Sequence, residues 1–201
     1  TAEMPGTYSK GKFDIAGFSI GIVEKKKILD KSKIKLNDLI VAIPSNGVHS
    51  NGYSLVRNIL KKKNIKLKNN KFLKKELIKP TKIYVKEVLK LINKKLINGC
   101  ANITGGGIED NIKRILPSKL SARIDLEKIK PNQIFKWIHA QGVKEREMLK
   151  TFNCGVGFSV IVNSKKLKKI KRYFSKDSQP YVIGKIIYGK KNIVLNGKIK
   201  W

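Results

Sequence analysis

Twice in this chain an apolar run gives way to a glycine turn and then to apolar residues at helical spacing. The first instance is "IVAIPSNGVHSNGYSLVRNIL", residues 40–60, and the second is "GCANITGGGIEDNIKRIL", residues 99–116. A strand that hands over to a helix through a tight loop demands a sheet covered by helices, which excludes an all-helical bundle and an all-strand sandwich. Further strands are expected at Phe13–Val23, "LSARIDL", "GVGFSVIVN", "YVIGKII" and "NIVLNGKI", the last two as a terminal hairpin. Helices are expected at residues 53–62, from Pro80 with Thr81 as N-cap and Val85, Val88, Leu89 and Ile92 facing inward, and over "IEDNIKRIL" closed by Pro117. Three more cover "NQIFKWIHAQ", with Phe135 and Ile138 inward, "KEREMLKTF" and "SKKLKKIKRYF". Strands and helices mix without a strict alternation and the chain closes on strands, so the fold class is α+β.

With 201 residues and 41% apolar content the chain can bury one full core. Its longest apolar stretch, "IAGFSIGIV", is too short to span a bilayer, and "TAEMPG" lacks the features of a secretory signal. A first residue other than methionine reads as a fragment or processed product. Cys100 and Cys154 stand apart with no metal-ligand spacing, which fits reduced thiols in a cytoplasmic protein.

The formal charge of +31 first suggests a nucleic-acid or acidic-lipid partner. However, only five of the 45 basic residues are arginine, and the lysines are spread through every segment beside abundant isoleucine and asparagine. These three residues share A/T-rich codons, so a biased genome accounts for the charge without a binding patch. The run from Lys61, "KKKNIKLKNNKFLKKELIK", reads as a solvated loop or helix face.

The two glycine loops carry the chemistry. Thr104, Gly105, Gly106 and Gly107 can bring backbone N–H groups to one point before a helix N-terminus, a construction that suits a phosphate and is also an ordinary strand-to-helix turn. The other loop adds Ser45, Asn46, Ser50 and Asn51 as hydrogen-bonding side chains. His49, one of two histidines, can exchange a proton near neutral pH or be a satisfied structural residue. Asn153 opens a strong strand, Cys154 reads as a small buried thiol, and His139 as structural or exposed. Glu3 can position a metal or an amine, or cap a helix.

Together, "TAEMPGTY", "DIAGFSIGIVEK", "SNGVHSNGYSLVR", "PTKIYVK", "ITGGGIEDNIKRILP" and "TFNCGVGF" closely resemble, in order and separation, the phosphoribosylformylglycinamidine cyclo-ligase (AIR synthetase) family. The resemblance runs from Thr1 to about Gly157 and more weakly beyond. It implies a three-layer α/β/α domain with a mixed sheet over residues 29–201, preceded in 1–28 by the end of an ATP-binding domain. The implied reaction closes the ring of formylglycinamidine ribonucleotide with ATP and Mg²⁺, in a homodimer, through positioning and charge neutralisation. A nucleic-acid partner is not expected.

On that footing His49 assists proton transfer or holds a transferring phosphoryl group, and Ser50 and Asn51 orient ligand oxygens, with Asn51 counted beside His49 as catalytic. Ser45 and Asn46 join the binding loop, Thr104–Gly107 cradle a phosphate, and Asn153 and Glu3 line the same cleft; metal ligands stay open. Two positions depart from the family. Asn102 stands where most relatives have histidine and cannot shuttle protons, and Lys150 replaces an arginine before "TFN", losing a bidentate fork. The competing classes are another ATP-using enzyme of the same superfamily and a basic nucleic-acid-binding module.

Overall fold

The computed structural model describes residues 17–201. Six strands form one sheet: β1 (Leu39–Pro44), β2 (Gly99–Asn102), β3 (Leu120–Asp125), β4 (Val156–Val162), β5 (Tyr181–Tyr188) and β6 (Ile193–Asn196), in the order β2-β4-β1-β5-β3-β6. Neighbours are antiparallel except β3 and β6, which run parallel, so the sheet is mixed. The α-helices are α1 (Tyr53–Lys62), α2 (Lys71–Leu77), α3 (Val85–Asn93), α4 (Gly107–Ile115), α5 (Gln133–Ala140), α6 (Glu145–Thr151) and α7 (Leu167–Lys171).

The sheet is buried on both faces, which is why β1 and β4 read as unbroken apolar runs. Ile40, Ala42 and Ile161 point to one side, where Val56 and Ile59 of α1, Leu73 of α2, Ile112 of α4, Phe135 and Ile138 of α5 and Met148 of α6 pack. Val41, Ile43, Val160 and Val162 point to the other, covered by Val88 and Leu91 of α3 and Ile170 of α7. The result is the expected three-layer α/β/α arrangement.

Four details differ from the sequence reading. Residues 17–24 form no strand, and Phe18, Ile20 and Ile22 are exposed, because no other strand or apolar face within the described residues meets their alternating side chains. The terminal strands are not a hairpin: β3 lies between β5 and β6, and the turn after β5 crosses its start, with Lys191 N–H donating to Leu120 O and Ala122 N–H to Asn192 O. Helix α3 begins at Val85 rather than near Thr81, and it buries Val88 and Leu91 while Val85 and Leu89 face solvent. Finally, the lysine-rich run is not wholly solvated, since α2 buries Leu73 and Leu77 within it.

Candidate functional site

Strands β2, β4 and β1 are neighbours, and the end of β1, the end of β2 and the start of β4 lie along one edge of the sheet. Three loops therefore emerge side by side: 45–52, 103–106 and 152–155. Backbone bonds tie them together, Ser45 N–H to Gly155 O (2.9 Å) and Ile103 N–H to Gly157 O (3.1 Å). His49 (φ 60°) and Cys154 (φ 48°) both hold the left-handed conformation that non-glycine residues rarely adopt, and such strain concentrates where a fold over-determines a site.

His49 is 6% exposed, with Nε2 2.9 Å from Asn46 Oδ1. The segment between α2 and α3 crosses this loop as a strap. Asn46 Nδ2 donates to Pro80 O (3.0 Å), the Ser50 and Thr81 hydroxyls share a bond of 2.8 Å, and the Tyr84 hydroxyl donates to Pro44 O (3.1 Å). Lys82 Nζ donates to Ser178 Oγ (2.6 Å) and reaches Pro44 O (3.4 Å). The Tyr84 ring stands 6.2 Å from that of His49. Burial, and then the Lys82 charge, push the His49 pKa down, so the ring is neutral at pH 7. Burial also lowers Lys82, against the opposing pull of Glu87 and Asp177, and raises the Tyr84 phenol.

The TGGG loop touches the His49 loop: a side chain at Gly105 would place its Cβ 3.6 Å from Asn51 Oδ1. Its amides are less free than a phosphate cradle requires, because Gly106 N–H donates to Lys150 O (3.1 Å) and Gly107 N–H to Thr104 O (3.0 Å). Asn111 on α4 holds the loop from beneath, with Nδ2 2.7 Å from Gly107 O and 3.2 Å from Gly105 O, while its Oδ1 accepts from the Thr104 hydroxyl at 3.3 Å. Gly107 is obligatory: its φ is 60° and a Cβ there would overlap the Leu149 carbonyl oxygen. Of the four loop residues, Gly105 is the exposed one whose amide makes no backbone bond among the described residues.

Asn153 and Ser45 hold the scaffold. Buried Asn153 donates from Nδ2 to Gly47 O (2.9 Å) and accepts Gly155 N–H on Oδ1 (2.9 Å). Ser45 donates to Asn132 Oδ1 (3.1 Å), and Asn132 returns a bond to Ser45 O (3.3 Å). Asn102, at the end of β2, is exposed, and Glu3 lies outside the described residues. Burial raises the Cys154 thiol far above its usual range, and its Sγ donates to Met148 O, so it is no nucleophile. Among the described residues no three His, Cys, Asp or Glu side chains converge, and the loop cluster offers amides, hydroxyls and an imidazole rather than the carboxylates Mg²⁺ takes. Those residues do not by themselves form a Mg²⁺ site.

The edge thus gathers His49, Ser50, Asn51 and Gly105, with Asn46 behind His49. Thr81, Lys82, Tyr84, Asn111 and Asn132 also belong to the network and were missed by sequence reasoning. "PTKIYVK" was the available signal for the first three, obscured by its reading as a helix start. A cavity of about 640 Å³ at the opposite end of the sheet has Lys33, Lys35, Lys95 and Lys166 in its wall and shares no residue with these loops. Among the described residues, no helix is long and apolar enough to cross a membrane.

The family model described as AIR synthase related protein, C-terminal domain, matches residues 35–195. The chain is 48% identical over 204 residues to the phosphoribosylformylglycinamidine cyclo-ligase of Carboxydothermus hydrogenoformans, covering 98% of this chain and 59% of that protein. It is 44% identical over 196 residues to the same-named protein of Clostridium novyi, covering 97% of this chain and 59% of that protein. Among solved structures it is similar to a thiamine-monophosphate kinase from Stenotrophomonas maltophilia K279a, with TM-score 0.61 and 15% identity over 88% of this chain and 55% of that one. T. maritima PurL complexed with AMPPCP matches with TM-score 0.50 and 11% identity over 89% of this chain and 26% of that one. Both structural likenesses concern the fold.

Proposed function

Because the chain belongs to the family of AIR-synthase-related C-terminal domains, we propose that it is the C-terminal portion of a phosphoribosylformylglycinamidine cyclo-ligase and supplies the ring-closing side of the active site. In that reaction ATP activates the formyl-amide oxygen as a phosphate ester. An amidine nitrogen then bonds to the same carbon, the C–O bond breaks to release phosphate, and one N–H proton must leave. Residues 29–201 bear the substrate-facing loops, and residues 1–28 close a preceding ATP-binding domain. The exposed Phe18, Ile20 and Ile22 support that boundary, since their apolar side chains rest on nothing in 17–201.

The observation that carries the reading is the convergence at one sheet edge of a neutral buried imidazole with Ser50, Asn51 and the exposed Gly105 amide. His49 accepts the departing proton, a general-base role typically worth about 10²–10⁴-fold. Asn51 and Ser50 offer hydrogen bonds to ligand oxygens, and Gly105 N–H offers one to a phosphate oxygen. With the Gly106 and Gly107 amides engaged inside the protein, Gly105 is the exposed glycine amide of this loop left to face an anion. ATP and Mg²⁺ are held largely by residues outside 17–201. A cytoplasmic homodimer is part of the same reading, and the free Cys100 and Cys154 agree with a reducing compartment.

The test is substrate-dependent turnover by the polypeptide that also carries the segment its relatives have outside the matched region. ADP and aminoimidazole ribonucleotide should appear in equal amounts on addition of formylglycinamidine ribonucleotide and ATP. A folded protein that releases no ADP in response to that substrate refutes the assignment.

A further inference from the structure

Hydrogen-bond polarity around His49 fixes which ring nitrogen is left for chemistry. The Pro80 carbonyl can only accept, and Asn46 Nδ2 lies 3.0 Å from it, so the Asn46 amide is oriented with its nitrogen towards the strap and its oxygen towards His49. That oxygen also can only accept, and it stands 2.9 Å from His49 Nε2. Nε2 therefore carries the hydrogen. A neutral imidazole has one N–H, which leaves the lone pair on Nδ1. That nitrogen makes no hydrogen bond to any described residue, although no buried side-chain nitrogen or oxygen among them lacks a partner. With respect to the described residues, Nδ1 consequently lies on the open edge of the ring. Turning the Asn46 amide over would set its oxygen against the Pro80 carbonyl, two acceptors face to face.

We propose that the Pro80 carbonyl and Asn46 form a relay that sets the tautomer of His49, making Asn46 a positioning residue and Nδ1 the nitrogen that accepts the proton released on ring closure. The last clause rests on the function proposed above; the relay does not. The charged and titratable groups facing His49 are those of the strap, Lys82 and Tyr84, with Glu87 and Asp177 beyond Lys82. None of them is a hydrogen-bond partner of either ring nitrogen, so among the described residues the relay alone selects the tautomer. Asn46 is accordingly reassigned from ligand contact to orientation of the base.

The chain has only two histidines, so imidazole ¹⁵N spectra of the histidine-labelled protein are simple, and His139→Gln assigns them. The wild type should show His49 as a single neutral Nε2–H tautomer with an unprotonated Nδ1. Asn46→Ala should move it towards the averaged mixture of a free imidazole. Asn46→Asp places a carboxylate on Nε2–H and should raise the His49 titration midpoint by at least about one pH unit. A wild-type Nδ1–H tautomer, an averaged signal, or an unmoved midpoint in folded Asn46→Asp overturns the relay. In the complete enzyme Asn46→Ala should lower kcat with KM little changed; equal loss in both would contradict the assigned Nδ1 role. If no variant or wild type turns over while the spectra agree, the relay stands and the functional assignment falls.

Discussion

Gly157 on β4 is where the packing of the site can be tested most sharply. A Cβ there would overlap the Tyr84 hydroxyl and stand 2.8 Å from His49 Cε1, so Gly157→Ala must displace the phenol and press on the imidazole. Overpacking of this kind costs about 1–3 kcal/mol. Displacing the hydroxyl from Pro44 O, now at 3.1 Å, adds about 1 kcal/mol. Lower entropy of the unfolded chain offsets about 0.4–1 kcal/mol. The net loss is about 1–3.6 kcal/mol, or about 0.3–1.8 M in urea midpoint for an m-value of about 2–3 kcal/mol/M. Tyr84→Phe removes the oxygen that the new methyl meets, at a cost of about 1 kcal/mol for its own hydrogen bond. Gly157→Ala should therefore cost at least about 1 kcal/mol less in the Tyr84→Phe background than in the wild type, a coupling within the range for side chains in contact. Urea unfolding of the four proteins at 25 °C measures it. Strictly additive losses would refute the claim that the strap seats Tyr84 against β4.

Asn153→Ala removes the donor to Gly47 O and the acceptor of Gly155 N–H, and should cost about 2–3 kcal/mol by chemical denaturation; a loss below about 0.5 kcal/mol would deny its clamping role. Because His49 titrates lower in the folded state than the ordinary value of about 6.5, the unfolded chain binds the extra proton first. The stability it contributes is complete above that value and falls as pH drops from about 6.5 towards the folded pKa. A urea-midpoint series from pH 7.5 to 5 should show this slope, and His49→Gln should remove it. Native protein should leave Cys154 unmodified by a thiol reagent on the time scale in which urea-unfolded protein reacts at both cysteines, because Cys154 is buried with its thiol raised and Cys100 is only half-buried.

The parts of the fold legible in the sequence were those with strong local periodicity. Helix α1 occupies the expected residues 53–62, β1, β2 and β4 sit where apolar runs end in proline, glycine or asparagine turns, and β3 follows the Pro117 break. Long-range pairing was not legible. Nothing local to residues 181–196 records that β3 inserts between the last two strands, because the pairing partner lies about sixty to seventy residues earlier. The strap was hidden for a related reason. Pro80 and Thr81 form a good helix-start signal, yet their backbone and hydroxyl are held by Asn46 and Ser50, and the helix waits until Val85. In the candidate site, residue types singled out three loops that the fold sets side by side but did not record who faces whom. Asn153 and Thr104 look like ligand contacts in sequence and turn inward in space, whereas Lys82 and Asn111 carried no local mark of the network they join.

The most direct measurement is kcat for the proposed ring closure by His49→Ala in the complete polypeptide, with formylglycinamidine ribonucleotide and ATP saturating at neutral pH. The proposal that the neutral, buried His49 takes the proton released on ring closure predicts a fall of about 10²–10⁴-fold with the fold intact. A kcat equal to that of the wild type would show that the proton leaves by another route and that the strained loop around His49 is scaffold alone.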